Sequence, residues 1–155
     1  MAIPASEAQG RIRRFERLCQ ERGLPVTVQR RVVLEALLEA EDHPSADQVL
    51  AKVRQRVPGI SQATVYRGLD LLVEMGLARK TCNPGRHCRY DANIHRHHHL
   101  VCDRCERMVD LEDPTLNDLP MPDRNLTGFH LVDYTIQFRG TCPDCLRAQH
   151  REGIE

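Results

Sequence analysis

The sequence predicts an α+β chain with a helical N-terminal half and a smaller, β-rich C-terminal half. Up to Gly76, apolar residues recur at helical spacing between short turns. Residues 132–138 instead alternate apolar and polar side chains, as a half-buried strand does. The composition also shifts from helical to histidine-rich near Asp91. We therefore expect two domains, residues 1–90 and 91–155, with a hinge at about 89–95.

The N-terminal half contains four predicted helices, each with recognisable start or stop signals. The first ends at Gly23, and Thr27 is a suitable cap for the second. Ser45-Ala-Asp-Gln48 has the pattern of a capping box, which opens the third. Ser61 is the predicted cap of the fourth, which stops at Gly76. Two helices joined by a short glycine-containing turn indicate a helix-turn-helix.

Two short strands follow, residues 77–81 and 88–90, joined across Asn83-Pro84-Gly85. They form the predicted wing of a winged helix-turn-helix DNA-binding domain. Its recognition helix is expected to carry polar side chains near its N-terminus, opposite an apolar stripe. Those side chains could equally be ordinary surface residues of a structural helix. The candidates for contact with double-stranded DNA are Gln62, Thr64, Tyr66 and Arg67.

Composition restricts the class of protein. The 155 residues carry no net charge, but residues 1–80 have 13 Lys and Arg against 10 Asp and Glu, and residues 81–155 have 9 against 12. This weak bias puts the basic part in the N-terminal half. No apolar run reaches the ~20 residues of a membrane span, and the N-terminus lacks the apolar run of a signal peptide. We expect a cytoplasmic protein without membrane contact.

Seven cysteines include two pairs at metal-binding spacing, which bracket 36 residues. An odd count without an export signal argues against a secreted disulfide scaffold. Four thiolates in two such pairs suit a structural zinc ion. The rival interpretation is a disulfide oxidoreductase, which expects one pair near a βαβ unit. The predicted zinc ligands are Cys102, Cys105, Cys142 and Cys145.

A second group of donors surrounds the first pair. His97-x-His99, with Asp91 and Asp110 on either side, offers nitrogen and carboxylate ligands suited to iron, manganese or zinc. Two histidines and a carboxylate also describe the site of iron oxygenases, but a winged helix and the absence of a substrate-pocket signal argue against an enzyme. Alternation in an extended stretch turns His98 away from this group, and His95 is also expected to point away.

Four motifs, in order along the chain, resemble those of the ferric uptake regulator (Fur) family of bacterial metal-dependent repressors. They are His43-Pro-Ser-Ala-Asp47, Ala63-Thr-Val-Tyr-Arg-Gly-Leu69, His97-His-His-Leu-Val-Cys-Asp-Arg-Cys105 and Cys142-Pro-Asp-Cys145. The resemblance runs from about residue 11 to 147. It implies a homodimer, a C-terminal dimerisation domain of small α/β type and a palindromic operator. It also implies a regulatory iron or manganese ion, which would bind both domains and set the angle between them, held by His43, Asp91, His97, His99 and Asp110.

The carboxylates at positions 91 and 110 indicate which branch of the family this chain resembles. The resemblance implies glutamates in iron sensors, aspartates in the peroxide-sensing (PerR) branch and a cysteine near Asp91 in zinc sensors. This chain has aspartates, although Cys88 lies three residues before Asp91. A PerR-like repressor would sense peroxide through iron-catalysed oxidation of His43 or His97. An iron-responsive repressor is the alternative, and a zinc-responsive one is less favoured. A further metal site of many iron sensors is expected to be missing, because its positions hold Arg96 and Tyr134.

The remaining cysteines have plainer predicted roles. Cys19 is expected in the core. Cys82 and Cys88 lie near the wing and could be free surface thiols or a thiol switch. Residues 114–128 contain Pro120 and Pro122, so any helix there is short or broken, unlike the longer helix that the resemblance implies.

Overall fold

The computed structural model describes residues 4–82, 87–120, 122, 128–131 and 134–152, in two compact units that divide between Ile94 and His95. None of the described helices is long and apolar enough to cross a bilayer. The first unit contains α1 (Ala5–Glu21), α2 (Val28–Leu38), α3 (Ala46–Arg54), α4 (Gln62–Glu74), β1 (Arg79–Thr81) and β2 (Arg89–Asp91). The second contains β3 (His98–Cys102), β4 (Met108–Leu111), α5 (Pro114–Asn117), β5 (Gln137–Gly140) and α6 (Pro143–Glu152).

The helices of the first unit begin at the predicted caps. The side chains of Thr27, Ser45 and Ser61 each accept a hydrogen bond from the backbone N–H three residues later. At Ser45 the Gln48 side chain also returns to the cap backbone, which completes the predicted capping box. Gly76, at φ 65°, takes the left-handed conformation that follows α4.

The core of the first unit lies between α1, α2, α3 and α4. The predicted stripe of α4 is fully buried, with Val65 and Leu69 at 0% exposure and Leu72 at 1%. Gly68 faces Val33 of α2, where a Cβ atom would lie 3.4 Å from both methyl carbons of the valine. A Cβ atom at this position would therefore lie at van der Waals distance from α2. Cys19 is buried, as predicted.

A two-stranded antiparallel sheet forms the wing. Its register pairs Arg79 with Asp91, Lys80 with Tyr90 and Thr81 with Arg89. The winged helix-turn-helix is thus confirmed. The turn predicted at Asn83-Pro84-Gly85 lies outside the described residues.

The second unit is a small α/β domain built on a three-stranded sheet. β3 is central, antiparallel to β4 and parallel to β5. α5 is a single short turn that begins at Pro114, which agrees with the prediction that any helix in residues 114–128 is short or broken, although residues 121 and 123–127 lie outside the described residues. α6 was missed, although Pro143 stands at its first position, where proline is favoured.

The strand predicted for residues 132–138 is wrong in its position. The described strand β5 begins only at Gln137, and Val132 and Asp133 lie outside the described residues. The Tyr134 hydroxyl donates to the Leu116 carbonyl at 2.6 Å and accepts from the Leu119 N–H at 3.0 Å. Tyr134 is therefore bonded to the segment around α5 and not to a neighbouring strand. The alternation of apolar and polar residues gives no sign of these tertiary hydrogen bonds.

Candidate metal centres and nucleic-acid interface

Four cysteines come together at one end of the sheet in the second unit. Cys102 ends β3, and its register partner is Gly140, the last residue of β5. The chain then continues to Cys142, whose sulfur lies 3.7 Å from that of Cys105. Together with Cys145, in the first turn of α6, the four sulfurs all lie within 4.8 Å of one another. The two pairs thus form a single cluster of thiols, not two separate centres.

The cluster fits a tetrahedral zinc ion. Zinc–sulfur bonds of about 2.3 Å require sulfurs about 3.8 Å apart, close to the spacing between Cys105 and Cys142. Backbone N–H groups of Cys105 and Cys142 lower the pKa of the Cys102 thiol to about 6. Hydrogen bonding to Cys142 and burial raise the pKa of Cys145 to about 12. Four thiolates this close together need a cation, which a zinc ion supplies.

The second unit also brings together two histidines and an aspartate. The register of β3 and β4 places His99 directly opposite Asp110. His97 Nε2 lies 3.4 Å from Asp110 Oδ1 and 3.0 Å from His99 Nε2. Two nitrogens at right angles around an ion about 2.1 Å away are about 3.0 Å apart, so the pair suits a six-coordinate ion.

The orientation of His97 is set by its backbone. Its Nδ1 lies 2.9 Å from the carbonyl oxygen of His95, and only a protonated Nδ1 can bond to that acceptor. Nε2 then keeps its lone pair, on the side that faces His99 and Asp110. A hydrogen bond of this kind fixes the tautomer of a metal-binding imidazole. His97 is 2% exposed, so the ligand atom is also protected from bulk water.

The first unit holds a second pair of donors. His43 Nδ1 lies 3.7 Å from Asp91 Oδ1, and the two residues are 6% and 3% exposed. The Asp91 carboxylate accepts from the Asn93 N–H at 2.6 Å, which fixes its rotamer. The pair offers one nitrogen and one carboxylate, the donor types found in the second unit.

Strand pairing explains why His43 and Asp91 meet. The Tyr90 N–H donates to the Pro44 carbonyl at 2.9 Å, and Arg89 forms an isolated bridge with Ser45. β2 therefore pairs with the segment directly after His43, which brings the following Asp91 to the histidine. No local pattern in the sequence predicts this pairing.

Two arginines that sequence reasoning missed hold the chain after Asp91. Arg11 of α1, 8% exposed, donates to the Ala92 carbonyl, and Arg79 of β1 donates to the Ile94 carbonyl at 2.9 Å. Charged donors to backbone carbonyls make strong hydrogen bonds. Arg11 lies four residues before Phe15 and eight before Cys19, so helical spacing places it on the buried face of α1, a signal that could have marked this arginine.

His98 faces away from the donors of the second unit, as predicted. Its Nδ1 accepts from the Ile136 N–H at 3.2 Å, and its ring stacks on Tyr134. Arg96 lies over the same tyrosine ring, 4.4 Å from its centroid. His95 is exposed. The prediction of free surface thiols at the wing is wrong, because Cys82 and Cys88 are joined as a disulfide.

The four candidate DNA-contacting residues lie in the first two turns of α4. Gln62 and Arg67 are exposed, whereas Thr64 and Tyr66 are half-buried. The Tyr66 hydroxyl donates to Asp47 Oδ1 on α3 at 3.0 Å, which holds the ring beside the helix-turn-helix. Arg67 reaches back to the Ala63 carbonyl through Nε at 3.2 Å.

Comparison with known proteins identifies the family. The sequence model of the ferric uptake regulator family matches residues 21–139. The chain belongs to the ferric uptake regulator family. The peroxide-responsive repressor PerR of Staphylococcus aureus is 29% identical over 126 residues, which cover 81% of this chain and 85% of the relative.

Solved structures of other Fur-family proteins share the architecture. The ferric uptake regulator Fur of Helicobacter pylori has a TM-score of 0.75 and 20% identity, over 90% of this chain and 93% of its own, and shows the fold. A zinc uptake regulator complexed with zinc and DNA has a TM-score of 0.63 and 25% identity, over 92% and 97%. These Fur-family relatives are named for different signals. Membership therefore establishes a metal-responsive regulator, and the ligands must indicate the signal.

Proposed function

We propose that this Fur-family regulator is a DNA-binding repressor that senses hydrogen peroxide through a bound ferrous ion. The observation that carries the proposal is the chemistry of the two donor sets, in which only Asp110 is not buried. Both consist of imidazole nitrogens and aspartate oxygens, His43 with Asp91 and His97 with His99 and Asp110. Neither set contains a cysteine. Such sets favour iron or manganese, whereas a thiolate would favour zinc.

We assign the regulatory iron or manganese ion to these five residues, on the donor chemistry of each set and on the sequence resemblance. Zinc is assigned to the four cysteines, where it stabilises the second domain. A ligand that binds the DNA-competent state more tightly shifts the protein towards that state. Metal binding and DNA binding then strengthen each other to the same extent.

Ferrous iron held by these residues would supply the electron that cleaves the O–O bond of hydrogen peroxide and so provide a short-lived, hydroxyl-radical-like oxidant. His43 and His97, as buried nitrogen ligands, are the rings that we expect to take up one oxygen atom as 2-oxo-histidine, while the second oxygen of the peroxide leaves as water. An oxidised ring would hold the ion less well, so the repressor would release both the metal and DNA. Manganese in the same donor set would support DNA binding without this chemistry.

The test is peptide mass spectrometry of iron-loaded and manganese-loaded protein after mild peroxide treatment. We expect the added mass of one oxygen atom on His43 or His97 in the iron form only, together with loss of DNA binding. His98 is the internal control, because it is 0% exposed and adjacent to His97 but bonds to Ile136. Unmodified His43 and His97, with DNA binding that still follows iron, would instead identify an iron-responsive repressor.

DNA binding is assigned to the face of α4 that carries Gln62, Thr64, Tyr66 and Arg67. We propose a palindromic operator bound by a homodimer in the cytoplasm. Exposed apolar side chains on the sheet of the second domain support dimerisation there: Leu100 and Phe138 are 42% and 45% exposed. Arg67→Ala is expected to weaken operator binding at least tenfold, whereas Arg17→Ala, in which a 68% exposed side chain of α1 is removed, leaves it unchanged. Equal affinities of the two variants would show that Arg67 of α4 does not contribute to DNA binding.

A further inference from the structure

A disulfide joins the ends of the two wing strands. Cys82 directly follows β1, Cys88 directly precedes β2, and the last paired residues of the two strands are Thr81 and Arg89. The bond therefore lies one residue beyond the end of the sheet register. Cys82 is exposed and Cys88 is half-buried, so oxidants and reductants in solvent reach the pair.

The wing is small enough for one covalent link to matter. Its sheet has three residue pairs, and an isolated two-stranded hairpin of this size is marginally stable. Two contacts tie it to the DNA-binding helices. Lys80 Nζ lies 3.1 Å from Asp70 Oδ1 on α4, and Arg89 donates to Gln48 Oε1 of the α3 capping box at 2.9 Å. The two strands of the wing are thus held against α3 and α4, the helices of the helix-turn-helix.

We propose that Cys82 and Cys88 form a reversible thiol–disulfide site that controls the order of the wing and, through it, the affinity for DNA. In the oxidising direction the two thiols lose two electrons and two protons as the S–S bond forms. Hydrogen peroxide accepts both, its O–O bond breaks, and two molecules of water leave. A dithiol reductant restores the thiols by exchange.

The expected direction of the change in DNA affinity follows from pre-organisation of the wing. A closed wing is already ordered before it meets DNA, so the oxidised protein loses less conformational freedom on binding. The reduced wing must be ordered at that moment. The oxidised form should therefore bind DNA about three- to tenfold more tightly, an effect of the size of one or two immobilised side chains. This sign is opposite to that of histidine oxidation, which releases DNA.

The experiment uses full-length protein with zinc in place and manganese at the regulatory site, where peroxide chemistry at the histidines does not occur. The probe is a duplex selected by this manganese-loaded protein from a random-sequence pool. Its dissociation constant is measured by fluorescence anisotropy for the reduced protein and for the peroxide-oxidised protein. Differential alkylation and peptide mass spectrometry measure the Cys82–Cys88 bond, and zinc per chain is measured in each sample.

Wild-type protein should bind the duplex three- to tenfold more tightly when oxidised. The double variant Cys82→Ser, Cys88→Ser should bind like reduced wild type under both conditions. Equal affinities of oxidised and reduced wild type would overturn the proposal, as would a redox effect that persists in the double variant. The iron-loaded double variant should still be oxidised at His43 or His97. Loss of that oxidation would count against peroxide sensing at the metal, whereas equal affinities of oxidised and reduced wild type would count against the wing proposal alone.

Discussion

Gly68→Ala tests the close packing of α4 on α2. Alanine favours a helix interior over glycine by about 1 kcal/mol, and a buried methyl contributes up to about 0.8 kcal/mol more. The new Cβ would lie 3.4 Å from both Val33 methyl carbons, slightly inside the optimal separation. This close contact should reduce the stabilisation by a few tenths of a kcal/mol. We expect a net stabilisation of about 1 kcal/mol, or about 4–8 °C in the melting temperature of the first domain.

The assay is thermal and urea denaturation of zinc-loaded protein, followed by helical circular dichroism. Gly68→Val is the matched variant, because its two further methyl groups must displace Val33 or α4, at a cost of about 1–3 kcal/mol. DNA affinity should be unchanged by the alanine, which faces the core, and reduced by the valine. An alanine variant destabilised by more than about 1 kcal/mol, or a valine variant as stable as the alanine one, would refute the packing described at Gly68.

Three further changes have defined outcomes. Ser45→Ala removes the α3 capping box and should lower the free energy of unfolding by about 1 kcal/mol in urea denaturation. Arg56 holds the pKa of Glu39 below its usual value, so Glu39 contributes stability above its unfolded pKa, and this is lost as pH falls. Because Glu39 is 46% exposed, Glu39→Gln should cost at most about 0.5 kcal/mol at pH 7, and this cost should shrink as pH falls through the folded pKa of Glu39. Cys142→Ser should reduce zinc from about one per chain to near zero and unfold the second domain, as measured by metal analysis and circular dichroism.

Local signals accounted for most of the first domain. The caps at Thr27, Ser45 and Ser61 depend on hydrogen bonds that span three residues, so their patterns are visible in the chain itself. The buried stripe of α4 follows from helical periodicity in the same way. The second domain was harder, because Tyr134 is held by Leu116 and Leu119, and period-two alternation alone placed the strand too early.

Donor identity was readable from the sequence, whereas donor geometry was not. The spacing of Cys102 with Cys105 and of His97 with His99 indicates the ligand types, because metal chemistry restricts which residues serve as ligands. The two cysteine pairs come together because β3 and β5 are parallel, in a register that places Cys102 opposite Gly140.

Tertiary structure alone decided the remaining contacts. Asp91 reaches His43 because β2 pairs with Pro44 and Ser45, and the Cys82–Cys88 bond depends on the hairpin that brings the two strand ends together. The sequence by itself therefore determined the helices of the first domain, the ligand types and the family resemblance. Only the folded chain determined which distant donors meet, because register and strand pairing are set by long-range packing that no local pattern encodes.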